Sequence, residues 1–136
     1  MDLAKSMLIA AAGMRAQTER MRVVAENIAN ANSTADTPGA DPYRRQIATF
    51  ANELDNALDV PLVRMSGTID DKGEFRQEYD PGHPAADDQG YVKLPNVNPL
   101  IEMMDMREAQ RSFDANVNVI DSARAMMART IELLRR

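Results

Sequence analysis

The chain has 136 residues, a net charge of −5 and no cysteine. That is one ordinary domain's worth of sequence, without disulfides or thiolate metal sites, and without a general attraction to nucleic acid or anionic membranes. Hydrophobic residues make up 44%, but aromatics only 4%, and there are ten methionines; methionine fills adaptable gaps, which suits helix-on-helix seams better than a compact globule.

The first predicted element is a helix over residues 3 to 31. Leu3, Met7, Ala10, Met14, Gln17, Met21, Val24, Ile28 and Ala31 alternate spacings of four and three, the pattern of a heptad seam. No proline interrupts it, and at 1.5 Å per residue the helix would be about 43 Å long. Asp2 is a suitable start, capping free N–H groups at the positive end of the dipole. Met7 to Met14 is apolar on every side, and such a helix is expected to be buried all round. This run is the longest apolar stretch and is far too short to span a bilayer. The N-terminus lacks the basic flank and small-residue cleavage site of a secretory signal, so any export is expected to proceed without a cleaved signal peptide. Turn-favouring residues from Asn30 to Ser33 should end the helix.

The middle, 33–98, is set apart by composition. All seven prolines lie between Pro38 and Pro99, together with all the glycines except Gly13. Residues 33–98 carry six basic and twelve acidic side chains, against four and three in 1–32 and six of each in 99–136. The expected organisation is therefore an N-terminal helix (1–32), a small β-rich or irregular middle (33–98) and a C-terminal helix (99–136). Within the middle, Ser33 to Pro42 reads as a loop and Tyr43 to Phe50 as a strand. Phe50, Leu54, Ala57 and Leu58 have helical spacing and predict a short helix. Leu62 to Ile69 and Glu74 to Tyr79 predict two strands of a hairpin turning at Asp70-Asp71-Lys72-Gly73. A turn-rich loop, Asp80 to Pro84, leads to an extended piece from Tyr91 to Leu94. A sheet this small needs support from the helices or from a neighbour.

The last helix has a clear start, with Asn98 as cap and Pro99 at the first helical position. Its seam is Met103, Met106, Gln110, Phe113, Val117, Ile120, Arg124, Met127, Ile131 and Leu134, and Arg135 and Arg136 suit its negative end. The two helices predict a mainly α fold, paired as an antiparallel coiled coil around the small middle segment. One helix pair covers one stripe of each partner. The apolar faces left over, each large side chain forgoing roughly 1.5–3 kcal/mol in water, imply further chains packed on them. The expected assembly interface is the apolar part of both seams: Leu3, Met7, Ala10, Met14, Met21, Val24, Ile28, Met103, Met106, Phe113, Val117, Ile120, Met127, Ile131 and Leu134.

Chemistry is thin by comparison. His83, the one histidine, sits with Asp80, Asp87 and Asp88 in a loop that reads as a solvated turn, because a metal site needs several ligands on a braced frame. Asp70 and Asp71 read as turn residues rather than paired catalytic carboxylates. No phosphate-binding loop or G-x-S-x-G nucleophile motif is present. Arg44-Arg45 is too small a patch for nucleic acid. For the asparagines of Asn27 to Asn32, a helix end and hydrogen bonds across helices both stand open; for Asn116 to Asn118, a solvated face and the same cross-helix bonds. No enzyme, cofactor or metal is expected.

The stretches AAGMRAQTERMRVVAENIANANST, with Asn27-Ile28-Ala29-Asn30-Ala31-Asn32 at its heart, YDPGHPAADDQGYVKLPNV (Tyr79 to Val97) and EMMDMREAQRSFDANVNVIDSARAMM (Glu102 to Met127) resemble the bacterial flagellar axial proteins, and within them the basal-body rod proteins of the proximal rod. The likeness covers nearly the whole chain. It implies terminal helices forming the inner layer of a tube with the middle segment outside. It implies a structural subunit of the periplasmic rod that transmits torque and lets exported subunits pass. Uncleaved export by the flagellar type III route is implied too. Implied partners are copies of itself, other rod proteins, and membrane-ring and export-gate proteins at the rod base, with no nucleic acid and no direct membrane insertion. The rival reading is a small helical adaptor or export chaperone that binds partner helices reversibly.

Overall fold

The computed structural model describes residues 3–57 and 59–135. Asp2, Leu58 and Arg136, invoked above as helix start, helix residue and dipole partner, lie outside the described residues. The element order is α1 (Leu3–Ala29), β1 (Gln46–Asp55), β2 (Val60–Asp70), β3 (Arg76–Tyr79), β4 (Tyr91–Leu94) and α2 (Pro99–Leu134).

Both helices begin or end where side chains take over backbone bonding. The Asn98 side-chain oxygen accepts the Leu100 N–H at 3.1 Å, which caps α2 ahead of Pro99. At the end of α1 the Asn30 amide donates to the Glu26 carbonyl at 2.8 Å and the Ser33 hydroxyl to the Asn30 carbonyl at 2.9 Å, each adding a second bond to a carbonyl that already accepts the Asn30 or Ser33 backbone N–H.

Two expectations for the middle are corrected. The short helix from Phe50 does not form, because β1 continues to Asp55. Contacts to β2 outweigh four apolar residues at helical spacing. The Thr49 and Ser66 hydroxyls lie 3.0 Å apart, Thr49 also donates to the Gly67 carbonyl, and Arg64 pairs with Glu53 at 2.7 Å; such cross-strand pairs are the stabilising unit of a sheet. The second correction is the hairpin at Asp70 to Gly73. There are two two-stranded sheets, β1 with β2 and β3 with β4, so β2 and β3 are not partners. The backbone N–H of Asp71 donates to the Arg45 carbonyl at 2.9 Å, so the end of β2 is held beside the start of β1 and not against β3. The strand β3 pairs antiparallel with β4, from Arg76 opposite Leu94 to Tyr79 opposite Tyr91. The two tyrosine rings meet edge to face at 5.3 Å. Gly90 is required beside them: its φ is 86°, and a Cβ there would lie 3.0 Å from the Tyr79 ring.

The chain forms two compact units, one of Met1–Met21, Thr49–Gly67 and Arg107–Arg136, the other of Arg22–Ala48 and Thr68–Met106. Within the first, α1 and α2 meet in opposite directions. A Cβ on Gly13 would lie 2.9 Å from the Asn116 amide nitrogen, and further along α1 Arg20 pairs with Glu108 at 3.5 Å. Within the second, α1 reaches α2 through a buried polar cluster.

Candidate assembly surfaces and a buried polar clasp

The cluster is built on Asn27 and Glu102, which are 1% and 0% exposed. The Asn27 amide donates to the Gln46 carbonyl at 2.8 Å and to the Glu102 carboxylate at 3.0 Å. Its oxygen accepts from the Tyr43 hydroxyl at 2.8 Å and the Gln46 N–H at 2.9 Å. Two donors and two acceptor sites are all an asparagine side chain offers, and here all are used. Of the two readings left open by sequence for Asn27, bonding across helices is the one the structure shows. Asn116 instead bonds its own helix, through the Ser112 carbonyl at 2.9 Å.

Arg45 is the counter-charge. Its Nε donates to Glu102, and its two terminal nitrogens reach Asp71 at 3.3 Å and Asp105 at 3.6 Å. Its backbone N–H is held by the Asn96 side-chain oxygen at 2.8 Å, and the Asn96 amide spans the Asp71 and Gly73 carbonyls. Arg44 donates to the same two carbonyls and lies 4.2 Å from the centre of the Phe75 ring, a cation–π contact. Burial would lower the affinity of Arg45 for its proton, but the bond it donates to Glu102, helped by Asp71, more than reverses this and raises it. The Asp71 carboxyl is held below its ordinary range, first by the Gly73 N–H and then, against some burial, by Arg45. Burial, followed by the negative charges of Glu26, Glu102 and Asp70, pushes the Tyr43 hydroxyl up. A fully satisfied network of this kind fixes one arrangement of the groups it joins.

Sequence reasoning reached Asn27 but not Glu102, Arg45 or Asn96. The available signal was a lone acid inside Leu100-Ile101-Glu102-Met103-Met104, one turn past the Asn98 cap. Asp71, read as a turn residue, does form a turn with Gly73 at 2.8 Å and in addition joins the clasp. The Nδ1 atom of His83 accepts the Ala85 N–H at 3.0 Å, while Asp80 and Asp87 accept N–H groups of Gly82, Gln89 and Tyr91.

The expected interface residues fall into three sets. Ala10 and Val24 are buried within the chain. Leu3, Met7, Met14, Met21, Ile28, Met106, Phe113, Val117, Ile120 and Met127 are half-buried. Met103, Ile131 and Leu134 are exposed, Leu134 by 82%. The stripe that α2 buries is therefore rotated from the expected seam: Glu102, Ala109 and Ala123 are buried where Met103, Gln110 and Arg124 were expected. On α1, Ala16, Val23 and Asn27 are buried beside the expected positions, and Ile9, in the all-apolar run, is 46% exposed. That run is thus not covered all round within one chain. Met14, Phe113 and Ile120 come together, with Ala11, Arg15, Thr18 and Glu19, around an apolar groove of about 450 Å³.

Residues 88–133 match the family described as Flagellar basal body rod FlgEFG protein C-terminal. Over 127 residues the chain is 58% identical to the flagellar basal-body rod protein FlgC of Agrobacterium fabrum, covering 93% of this chain and 91% of that one. The chain belongs to the FlgC family of flagellar basal-body rod proteins. Two further relatives are FlgC of Borreliella burgdorferi, 38% identical over 98% of this chain and 99% of that protein, and FlgC of Escherichia coli O6:H1, 36% identical over 92% of each. As a FlgC-family protein the chain is a structural subunit of the basal-body rod, and the resemblance read in its asparagine-rich and C-terminal motifs is confirmed. The family match spans β4, Asn96, the clasp residue Glu102 and nearly all of α2.

Proposed function

We propose that this rod subunit assembles through its two terminal helices, paired as an antiparallel coiled coil, into the inner layer of a tube, with residues 33–98 outside. Torque would then pass through interlocked side chains of many subunits, and exported subunits would travel through the bore. Its partners would be copies of itself, other rod proteins, and the membrane-ring and export-gate proteins at the rod base. It would reach the periplasm by the flagellar type III route without a cleaved signal peptide. The observation that carries this reading is the apolar helix surface one chain leaves in water: Ile9, Met103, Met126, Ile131, Leu133 and Leu134 are between 46% and 82% exposed. Burying such side chains against neighbours contributes roughly 1.5–3 kcal/mol each. No helix of the described residues is long and apolar enough to cross a membrane. The test is a charge at Met14 or Met127. Met14→Asp and Met127→Asp are expected to abolish rod assembly and swimming while the protein is still made; normal swimming by either strain would contradict the reading.

A further inference from the structure

The six basic side chains of residues 33–98 divide into two groups of three. Arg45 is spent in the clasp, Arg64 on Glu53, and Arg76 on the Ala31 and Pro95 carbonyls. The other three, Arg44, Lys72 and Lys93, line one cleft of about 680 Å³ in the second compact unit, with Phe75 in its wall. Two acids share the cleft, Glu74 and Asp41, and Asp41 is bonded by Lys93 at 3.0 Å. Three bases against two acids leave the cleft at +1, inside a segment whose twelve acids outnumber its bases two to one. Arg44 is held in place by the Asp71 and Gly73 carbonyls and by the Phe75 ring, while Lys72 is exposed. A fixed guanidinium, an exposed ammonium and an aromatic wall suit an acidic turn that also carries an apolar side chain.

The chain has such a turn at the other end of the β1–β2 hairpin. The backbone bond from Asp71 to the Arg45 carbonyl sets Arg44 beside Lys72 at the open end of the two strands. At the closed end, residues 54–59 hold Asp55 and Asp59 and no base, since Glu53 just before them is answered by Arg64. Asp59 is exposed and takes a φ of 50° as the chain turns, and Leu54 is 53% exposed. The ten residues of β1 separate the two ends by about 33 Å along the strand, several times the reach of an ion pair. We propose that the acidic β1–β2 turn of one copy docks in the Arg44–Lys72–Lys93 cleft of a second copy. Each copy then offers a turn to one neighbour and a cleft to another, a head-to-tail contact that propagates through an array. Ion pairs at a surface add little affinity and act mainly on orientation and partner choice, so this contact sets the register between copies. It rests on the proposed assembly of copies of this chain and lies in residues 33–98, apart from the terminal helices.

The absence of native cysteine makes the contact testable by cross-linking in whole basal bodies. Ala57 sits in the turn and Gln77 lines the cleft, and replacing both leaves every charge in place. A disulfide needs Cα atoms within about 7 Å. An Ala57→Cys/Gln77→Cys chain is expected to give a ladder of disulfide-linked multimers of itself in rods from swimming cells, while either single cysteine gives none. A Gln89→Cys/Gln77→Cys chain tests the acidic Asp87-Asp88 turn as the occupant and should give no ladder. Charge is tested separately. Lys72→Glu should lower incorporation into the rod about two- to five-fold at limiting expression. The drop should be smaller in a chain that also carries Asp55→Asn and Asp59→Asn, which keep the shape of the turn and remove its charge. Swimming cells whose Ala57/Gln77 cysteines never join, join within a single chain or join only another rod protein would overturn the docking. A Gln89/Gln77 ladder, or an equal effect of Lys72→Glu in both backgrounds, would also overturn it. Each of these outcomes leaves the rod role standing; absence of the unaltered chain from purified basal bodies would instead overturn the assembly reading on which the docking rests.

Discussion

Replacing Glu102 with alanine removes a carboxylate that is 0% exposed and bonded to both Arg45 and Asn27. Breaking a buried ion pair from one side costs about 3–5 kcal/mol, because the surviving charge is stranded. Arg45 keeps Asp71 at 3.3 Å and Asp105 at 3.6 Å, which places the electrostatic loss below that range, at about 2 kcal/mol. One amide hydrogen of Asn27 also loses its acceptor, adding about 1 kcal/mol. The expected total, about 3 kcal/mol, is a large share of a domain's usual stability of roughly 5–15 kcal/mol. Urea unfolding of the purified chain, followed by circular dichroism and tyrosine fluorescence, should show the midpoint falling by about 1.5 M. Replacing both partners, Arg45→Met with Glu102→Leu, leaves no charge facing the buried Glu102 position, while Asp71 and Asp105 keep partial access to water, and should cost less than Glu102→Leu alone. A loss under about 1 kcal/mol for Glu102→Ala, or a double variant worse than the single, would refute the clasp as described.

Three other outcomes follow from the same geometry. The side-chain oxygen of Gln17 is buried without a hydrogen-bond partner, so Gln17→Met should raise the unfolding free energy of the isolated chain by about 1 kcal/mol in the same urea assay. Gly13→Ala gains helix propensity but drives a Cβ to 2.9 Å from the Asn116 amide; it should be neutral or destabilising alone and stabilising by about 1 kcal/mol when Asn116→Ala is added, which a double-mutant cycle measures. Because the Asp71 carboxyl is held below its ordinary value in the fold, its contribution is present above the unfolded-state value and is lost as pH falls through the lower folded one. Asp71→Asn should therefore flatten the acid limb of a plot of stability against pH, and an unchanged limb would contradict the assignment.

The long elements were legible because their signals are redundant. The helix α2 carries a cap, a proline at its first position and ten seam residues, and it forms from Pro99 as expected. Rotation of the buried stripe was less legible. Periodicity weights large side chains, so Met103 and Val117 drew the seam toward themselves. The face that is actually buried uses Glu102, Ala109 and Ala123, whose small or charged side chains carry little hydrophobic signal and are placed by close helix approach and by Arg45. The middle segment misled for a related reason. Four apolar residues after Phe50 fit a helix locally, but pairing with β2 depends on partners ten or more positions away, such as Glu53 with Arg64. The clasp joins Asn27, Arg45 and Glu102, distant in sequence and individually ordinary, so no window of sequence displays it.

The most direct test of the central claim is an electron cryomicroscopy map of the intact basal body at side-chain detail. The account predicts that the faces of α1 and α2 bearing Ile9, Met14, Met127, Ile131 and Leu134 are covered by helices of neighbouring subunits. A map in which those side chains face open water, with copies touching only through residues 33–98, would contradict it.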